Sequence, residues 1–122
     1  MGTSIVVLES DPKTAQSLAG GLRSHFHSVY LTRSRDEMRD KVAQNRPEAV
    51  VFDIESSRLT DVANLHSDFP ALPIVCTHRV PDEEMWMAAL QAGASDVCAA
   101  TDVENVLTSV LRSVTVARRA TA

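Results

Sequence analysis

Five times along this chain a short, continuous apolar run gives way to a stretch with helical periodicity. That alternation restricts the fold more than any other feature of the sequence. The runs are Ile5-Val6-Val7-Leu8, Val29-Tyr30-Leu31, Ala49-Val50-Val51-Phe52, Pro73-Ile74-Val75-Cys76-Thr77 and Asp96-Val97-Cys98-Ala99. A strand exposed on one face would alternate apolar and polar residues. Strands apolar at successive positions belong to sheets covered on both faces, which in practice means parallel sheets.

The intervening segments carry helix signals. Asp11-Pro12 supplies an N-cap and a first-turn proline, followed by an apolar stripe through Ala15, Leu18, Ala19, Leu22 and Phe26. Ser34 and Glu37 have the spacing of a capping box for a polar helix containing Met38 and Val42, which Pro47 ends. A weaker helix carries Val62 and Leu65 and stops before Pro70. Pro81 and Asp82 open a helix through Met85, Ala88, Ala89 and Ala92, with Gly93 as its stop. Thr101 and Glu104 read as a second capping box, ahead of a last helix bearing Val103, Val106, Leu107, Val110, Leu111 and Val114. Strands alternating singly with helices imply an α/β fold: a doubly wound, five-stranded parallel sheet of flavodoxin-like type. With 122 residues and no repeat or linker, residues 1–122 read as one domain.

Composition narrows the function. A formal net charge of −4, with positive charge gathered only around Arg112, Arg118 and Arg119, argues against a nucleic-acid surface. No apolar run approaches the ~18 residues of a membrane span, and the N-terminus lacks a basic n-region. The cytoplasm is the expected location. Cys76 and Cys98 stand far apart in apolar runs and read as reduced core residues. His25 and His27 read as exposed histidines rather than a metal pair. Trp86 lies off the apolar stripe of its helix, and both a partner-facing anchor and partial burial are consistent with that position.

In open parallel sheets ligands bind beyond the carboxyl ends of the strands. Glu9, Ser10 and Asp11 follow the first strand, Asp53 and Glu55 the third, and Thr77 and His78 close the fourth. Carboxylates from two strands, with a hydroxyl beside them, can hold a hard cation such as Mg²⁺ or aim a carboxylate at phosphorus.

These segments resemble the receiver domains of two-component response regulators, the CheY-like superfamily. The resemblance is carried by Ile5-Val6-Val7-Leu8-Glu9-Ser10-Asp11-Pro12, Pro47-Glu48-Ala49-Val50-Val51-Phe52-Asp53-Ile54, Leu72-Pro73-Ile74-Val75-Cys76-Thr77 and Ala89-Leu90-Gln91-Ala92-Gly93-Ala94-Ser95-Asp96, in the family's order and spacing. It implies Asp53 as phosphoacceptor and Thr77 as the phosphoryl contact. It implies Mg²⁺ held by Glu9, Asp53 and the Glu55 carbonyl, with Ser10 and Asp11 as further candidates. The implied partner is a histidine kinase or phosphotransfer protein, and the resemblance also admits a homodimer through the face of the fourth helix, fifth strand and last helix. No enzymatic activity is expected beyond self-phosphorylation and autodephosphorylation at Asp53. The runner-up is a pseudo-receiver, the same fold serving as a protein-interaction module without phosphorylation.

The chain also departs from the family's pattern. Glu9-Ser10 stands where two adjacent acids are usual, Ala100 where a Lys is usual, Thr101 where a Pro follows it, and Val97 at the aromatic switch position. The loop after Asp53 lacks the usual Pro and Gly. His78 replaces a small residue after Thr77. An imidazole close to Glu9 and Asp53 would partly replace the missing lysine cation; an outward-pointing loop histidine is the alternative.

Overall fold

The computed structural model describes residues 3–55, 57–80 and 82–121. Elements run β1 (Ser4–Leu8), α1 (Pro12–Arg23), β2 (Ser28–Thr32), α2 (Arg35–Asn45), β3 (Ala49–Asp53), α3 (Leu59–Asp68), β4 (Ile74–His78), α4 (Glu83–Ala92), β5 (Asp96–Ala99) and α5 (Val103–Thr121). The five strands form one sheet in the order β2-β1-β3-β4-β5, and every neighbouring pair is parallel. This is the doubly wound α/β architecture that the alternation of runs and stripes implies.

Side chains on successive strand positions point to opposite faces, so the continuous apolar runs feed two cores. Val6, Leu8, Val50, Phe52, Ile74 and Cys76 pack against Met38 and Val42 of α2, Val62 and Leu65 of α3, and Ala89 of α4. Ile5, Val7, Ala49, Val51, Val75 and Cys98 pack against Leu18 and Leu22 of α1 and Val106, Val110 and Val114 of α5. The central strand β3 is buried at all five positions. Each fully buried aliphatic side chain contributes about 1.5–3 kcal/mol. The cysteines are free and buried, one in each core; burial pushes the Cys76 thiol up to about 12, leaving it inert as a nucleophile.

The helix caps follow local chemistry. Asp11 accepts from the Thr14 N–H at the start of α1, and Ser34 accepts from the Glu37 N–H at the start of α2. Asp82 caps α4 by accepting from the Met85 N–H; Pro81 lies outside the described residues. The Thr101–Glu104 capping box does not form. Asp102 takes that place, accepting from the Asn105 N–H at 3.1 Å, because the turn after β5 runs one residue further before α5 begins. Phe26 fills the α1/α5 core although α1 ends before it, at Arg23.

Gly93 ends α4 with φ 118°, a conformation costly for any residue with a Cβ. A Cβ there would also lie 2.6 Å from the His66 ring of α3. Gly93→Ala is therefore expected to destabilise the fold by about 1–3 kcal/mol in chemical denaturation. Adding His66→Ala should recover only the part due to the ring, because the His66 Cβ itself lies 2.8 Å from the added carbon, and should leave the backbone strain. An unchanged denaturation midpoint in Gly93→Ala would contradict this account.

Candidate functional site

Register builds the site. Leu8 pairs with Phe52, so Glu9, the next residue, arrives beside Asp53. Asp53 pairs with Thr77, and strand alternation turns the two toward the same face. Glu9, Asp53 and Thr77 are all buried, at 6%, 2% and 0% exposure. Three polar side chains from three central strands thus meet below the surface at the carboxyl edge of the sheet.

Their electrostatics follow from that burial. Burial raises the Glu9 carboxyl above its ordinary 4.5; an accepted hydrogen bond from the Asp11 N–H opposes this, and the adjacent Asp53 carboxylate adds to the rise. Asp53 also accepts from the Glu55 N–H at 2.9 Å, which tightens the turn leaving β3. The Thr77 hydroxyl oxygen is buried with no hydrogen-bond partner among the described residues. Such a group is uncommon in a native fold, because leaving it unpaired costs about 1–3 kcal/mol.

The other rim candidates sit elsewhere. Ser10 is exposed. The Asp11 carboxylate is taken up by α1, accepting from the Thr14 hydroxyl at 2.6 Å and the Thr14 N–H at 3.0 Å; these bonds hold it below the usual carboxylate range, helped by the charges of Arg79 and Lys13. Among the described residues no group of three or more His, Cys, Asp or Glu side chains is arranged around one metal position. The acidic set in contact is the pair Glu9 and Asp53, to which a backbone carbonyl such as that of Glu55 is adjacent in sequence. Two carboxylates suit Mg²⁺, which keeps several waters and needs no full protein cage.

His78 takes neither of the two positions expected for it. Its side chain is 19% exposed and its Nε2 lies 3.0 Å from Glu55 Oε1, so it joins Glu55 rather than Glu9 or Asp53. The same Glu55 oxygen accepts from the Arg79 N–H at 3.1 Å. Together these contacts strap the loop after β3 to the loop after β4, immediately above Asp53 and Thr77. The sequence reading placed Glu55 among the rim acids and as a carbonyl ligand to the metal, and missed this role of its carboxylate. The available signal was the acid two residues beyond Asp53 facing a histidine just past Thr77. Ala100, at the family's lysine position, is a buried methyl whose N–H donates to the His78 carbonyl at 2.9 Å.

Fold and site together define a receiver-type domain: a β2-β1-β3-β4-β5 parallel sheet with buried acids at the ends of β1 and β3 and a hydroxyl at the end of β4. No protein-family model matches the chain. The chain is 33% identical, over 99 residues, to the response regulator MprA of Mycobacterium sp. strain KMS; the match covers 79% of this chain and 43% of that protein. The chain thus spans less than half the length of the curated relatives it matches. A response regulator from Thermotoga maritima superposes with a TM-score of 0.85 at 14% identity, covering 94% of this chain and 99% of that one. The BeF3-activated DrrB receiver domain superposes with a TM-score of 0.82 at 17% identity over 94% and 99% of the two chains. The chain has the fold of response-regulator receiver (CheY-like) domains, and the curated relatives it matches are response regulators.

The raised Glu9 carboxyl has a stability consequence. Between its ordinary pKa and its raised one the folded protein keeps a proton that the unfolded chain releases, so this group lowers stability as pH rises above 4.5. Glu9→Gln is expected to stabilise the metal-free protein at neutral pH by about 1 kcal/mol, as relief of a strained functional site often does. The difference from wild type should vanish at pH values well below 4.5, where both side chains are neutral in both states. Denaturant titrations across pH measure this, and an advantage persisting in acid would assign it to another cause.

Proposed function

We propose that the chain accepts a phosphoryl group on Asp53 from the phosphohistidine of a histidine kinase or phosphotransfer protein, with Mg²⁺ bound at the acidic pair. An Asp53 carboxylate oxygen attacks phosphorus, the P–N bond to the donor imidazole breaks, and the leaving imidazole takes up a proton. The observation that carries this reading is the buried Thr77 hydroxyl beside Asp53, which has no hydrogen-bond partner among the described residues. A hydroxyl held there at a desolvation cost has a natural acceptor in an oxygen of a phosphorylated Asp53.

Glu9, Asp53 and the Glu55 carbonyl would hold the metal, with Ser10 near the rim and Asp11 kept from it by its role as cap. When bound, Mg²⁺ supplies positive charge against the incoming phosphoryl oxygens and removes the repulsion between the two carboxylates. BeF3 activation of the structurally similar DrrB receiver domain is consistent with chemistry of this kind on the same fold. Beyond Asp53 phosphorylation and its reversal we assign no enzymatic activity. A homodimer through α4, β5 and α5 fits the 42% exposure of Trp86 and 48% exposure of Met87 on α4. The buried methyl of Ala100 in place of a lysine is the observation favouring the second reading, a pseudo-receiver that binds its partner without phosphorylation.

Incubation with acetyl phosphate and Mg²⁺ should add one phosphoryl group by intact-protein mass spectrometry. Asp53→Asn should abolish the addition, and Thr77→Ala should slow it by about tenfold, as expected for one lost transition-state hydrogen bond of about 1.4 kcal/mol. A folded wild-type protein that remains unmodified at every donor concentration decides for the pseudo-receiver. Mg²⁺ should also bind more tightly to Ser10→Asp than to wild type, by NMR titration, because a second adjacent carboxylate joins Glu9. Equal affinities would show that the existing acids already suffice.

A further inference from the structure

At the pole of the sheet opposite Asp53, where Pro47 and Glu48 lead into β3 and Leu72 and Pro73 lead into β4, lies a cavity of about 680 Å³. This falls within the roughly 300–1,000 Å³ typical of small-molecule sites. The ends of α2 and α5 and the turn after α3 form its walls. Its lining is mainly apolar: Val42, Val114, Pro47 and Pro73 are buried, and Phe69 and Leu72 are half-buried. A concave apolar surface with a few polar groups at its edge is the usual make-up of a ligand pocket rather than of a plain helix junction.

The charges at the edge select the ligand. Glu48 accepts from Arg118 Nη2 at 2.8 Å and from Arg118 Nε at 3.2 Å, so these two neutralise each other. Asp68 is paired with Arg39. Arg46, which also lines the cavity, makes no ion pair or side-chain hydrogen bond with any described residue. With Asp68 paired by Arg39 from outside the lining, Arg46 is the charge at the cavity edge left without a partner among the described residues. Arg46 also has φ 45° and ψ 63°, the left-handed conformation in which glycine or asparagine normally closes a helix. It is the one non-glycine residue with positive φ among the described residues. Its backbone role, donating its N–H to the Val42 carbonyl at 3.0 Å, would be met equally by glycine, so the turn itself does not call for a guanidinium.

We propose that this cavity binds an amphipathic monoanion, a fatty or aromatic carboxylate, with its apolar body against Val42, Phe69, Leu72 and Val114 and its carboxylate on the Arg46 guanidinium. A planar guanidinium pairs with a carboxylate through two parallel hydrogen bonds, and it does so most strongly beside a surface that excludes water. The site is independent of the phosphoacceptor and holds whether or not Asp53 is phosphorylated.

Decanoate is the probe, titrated into the isotope-labelled protein and followed by amide NMR shifts. The expected result is a saturable shift of the cavity residues, with Val42, Leu72 and Val114 among them. Decylammonium should bind at least tenfold more weakly. Arg46→Gly, which relieves the left-handed backbone and so should melt no lower than wild type, is expected to lose at least tenfold in affinity. Asp53→Asn should bind as wild type does. Three results would each overturn the proposal: no saturable shift, equal binding of decylammonium, or full affinity in a folded Arg46→Gly. Shifts of the same residues that depend on protein concentration without ligand would also overturn it, assigning the cavity to a second copy of the chain.

Discussion

The structure depends on β3 being buried on both faces in the middle of a parallel sheet. Its five residues are enclosed by β1 and β4 at its edges and by two separate helical layers above and below. A parallel strand cannot slip by one residue without exchanging the side chains between those two layers. The register of β1, β3 and β4 is therefore held firmly by packing, and with it the positions of the residues that follow each strand. Glu9, Asp53 and Thr77 owe their meeting to Leu8, Phe52 and Cys76, which lie one position earlier and fill the core.

That arrangement sets two demands against each other. Packing places the strand ends in a region from which water is excluded, whereas two adjacent carboxylates and a hydroxyl with no partner among the described residues are destabilising there. The buried cores offset most of the penalty, and the backbone hydrogen bonds from the Asp11 N–H to Glu9 and from the Glu55 N–H to Asp53 offset part of it locally. The strap from Glu55 to His78 and the Arg79 N–H partly covers the rim, with a histidine and a backbone donor facing a carboxylate close to where related domains carry a lysine. The opposite pole has a different character, with an apolar hollow, a matched Glu48–Arg118 pair and an arginine held in a glycine-like conformation. One sheet thus presents an acidic, hydroxyl-bearing end and an apolar, arginine-bearing end, separated by the length of its strands.

The strands and most helices were legible because their signals are local. Continuous runs such as Val50-Val51-Phe52 have few alternatives to a doubly covered strand, and the Asp11-Pro12 and Ser34–Glu37 caps use groups within one turn of each other. The boundary at α5 was misjudged for a similarly local reason. Thr101 and Asp102 are both competent caps, and the choice of Asp102 came from how far the chain had to travel after β5. The positions of Glu9, Asp53 and Thr77 at one sheet edge were readable from the order of strands and loops, since all three follow or close apolar runs.

By itself the sequence determined an alternating α/β chain, the two-faced burial of its strands and the set of polar residues available at their carboxyl ends. Only the tertiary structure decided which of those residues touch. Asp11 was drawn away to cap α1, Ser10 was left exposed, and the Glu55 carboxylate was claimed by His78 and the Arg79 N–H. The apolar hollow beside Arg46 likewise had no trace in the sequence, because its walls come from segments between Val42 and Arg118 that only folding brings together. Local propensity depends on neighbours in the chain, whereas contact between side chains depends on register and on the packing of distant elements.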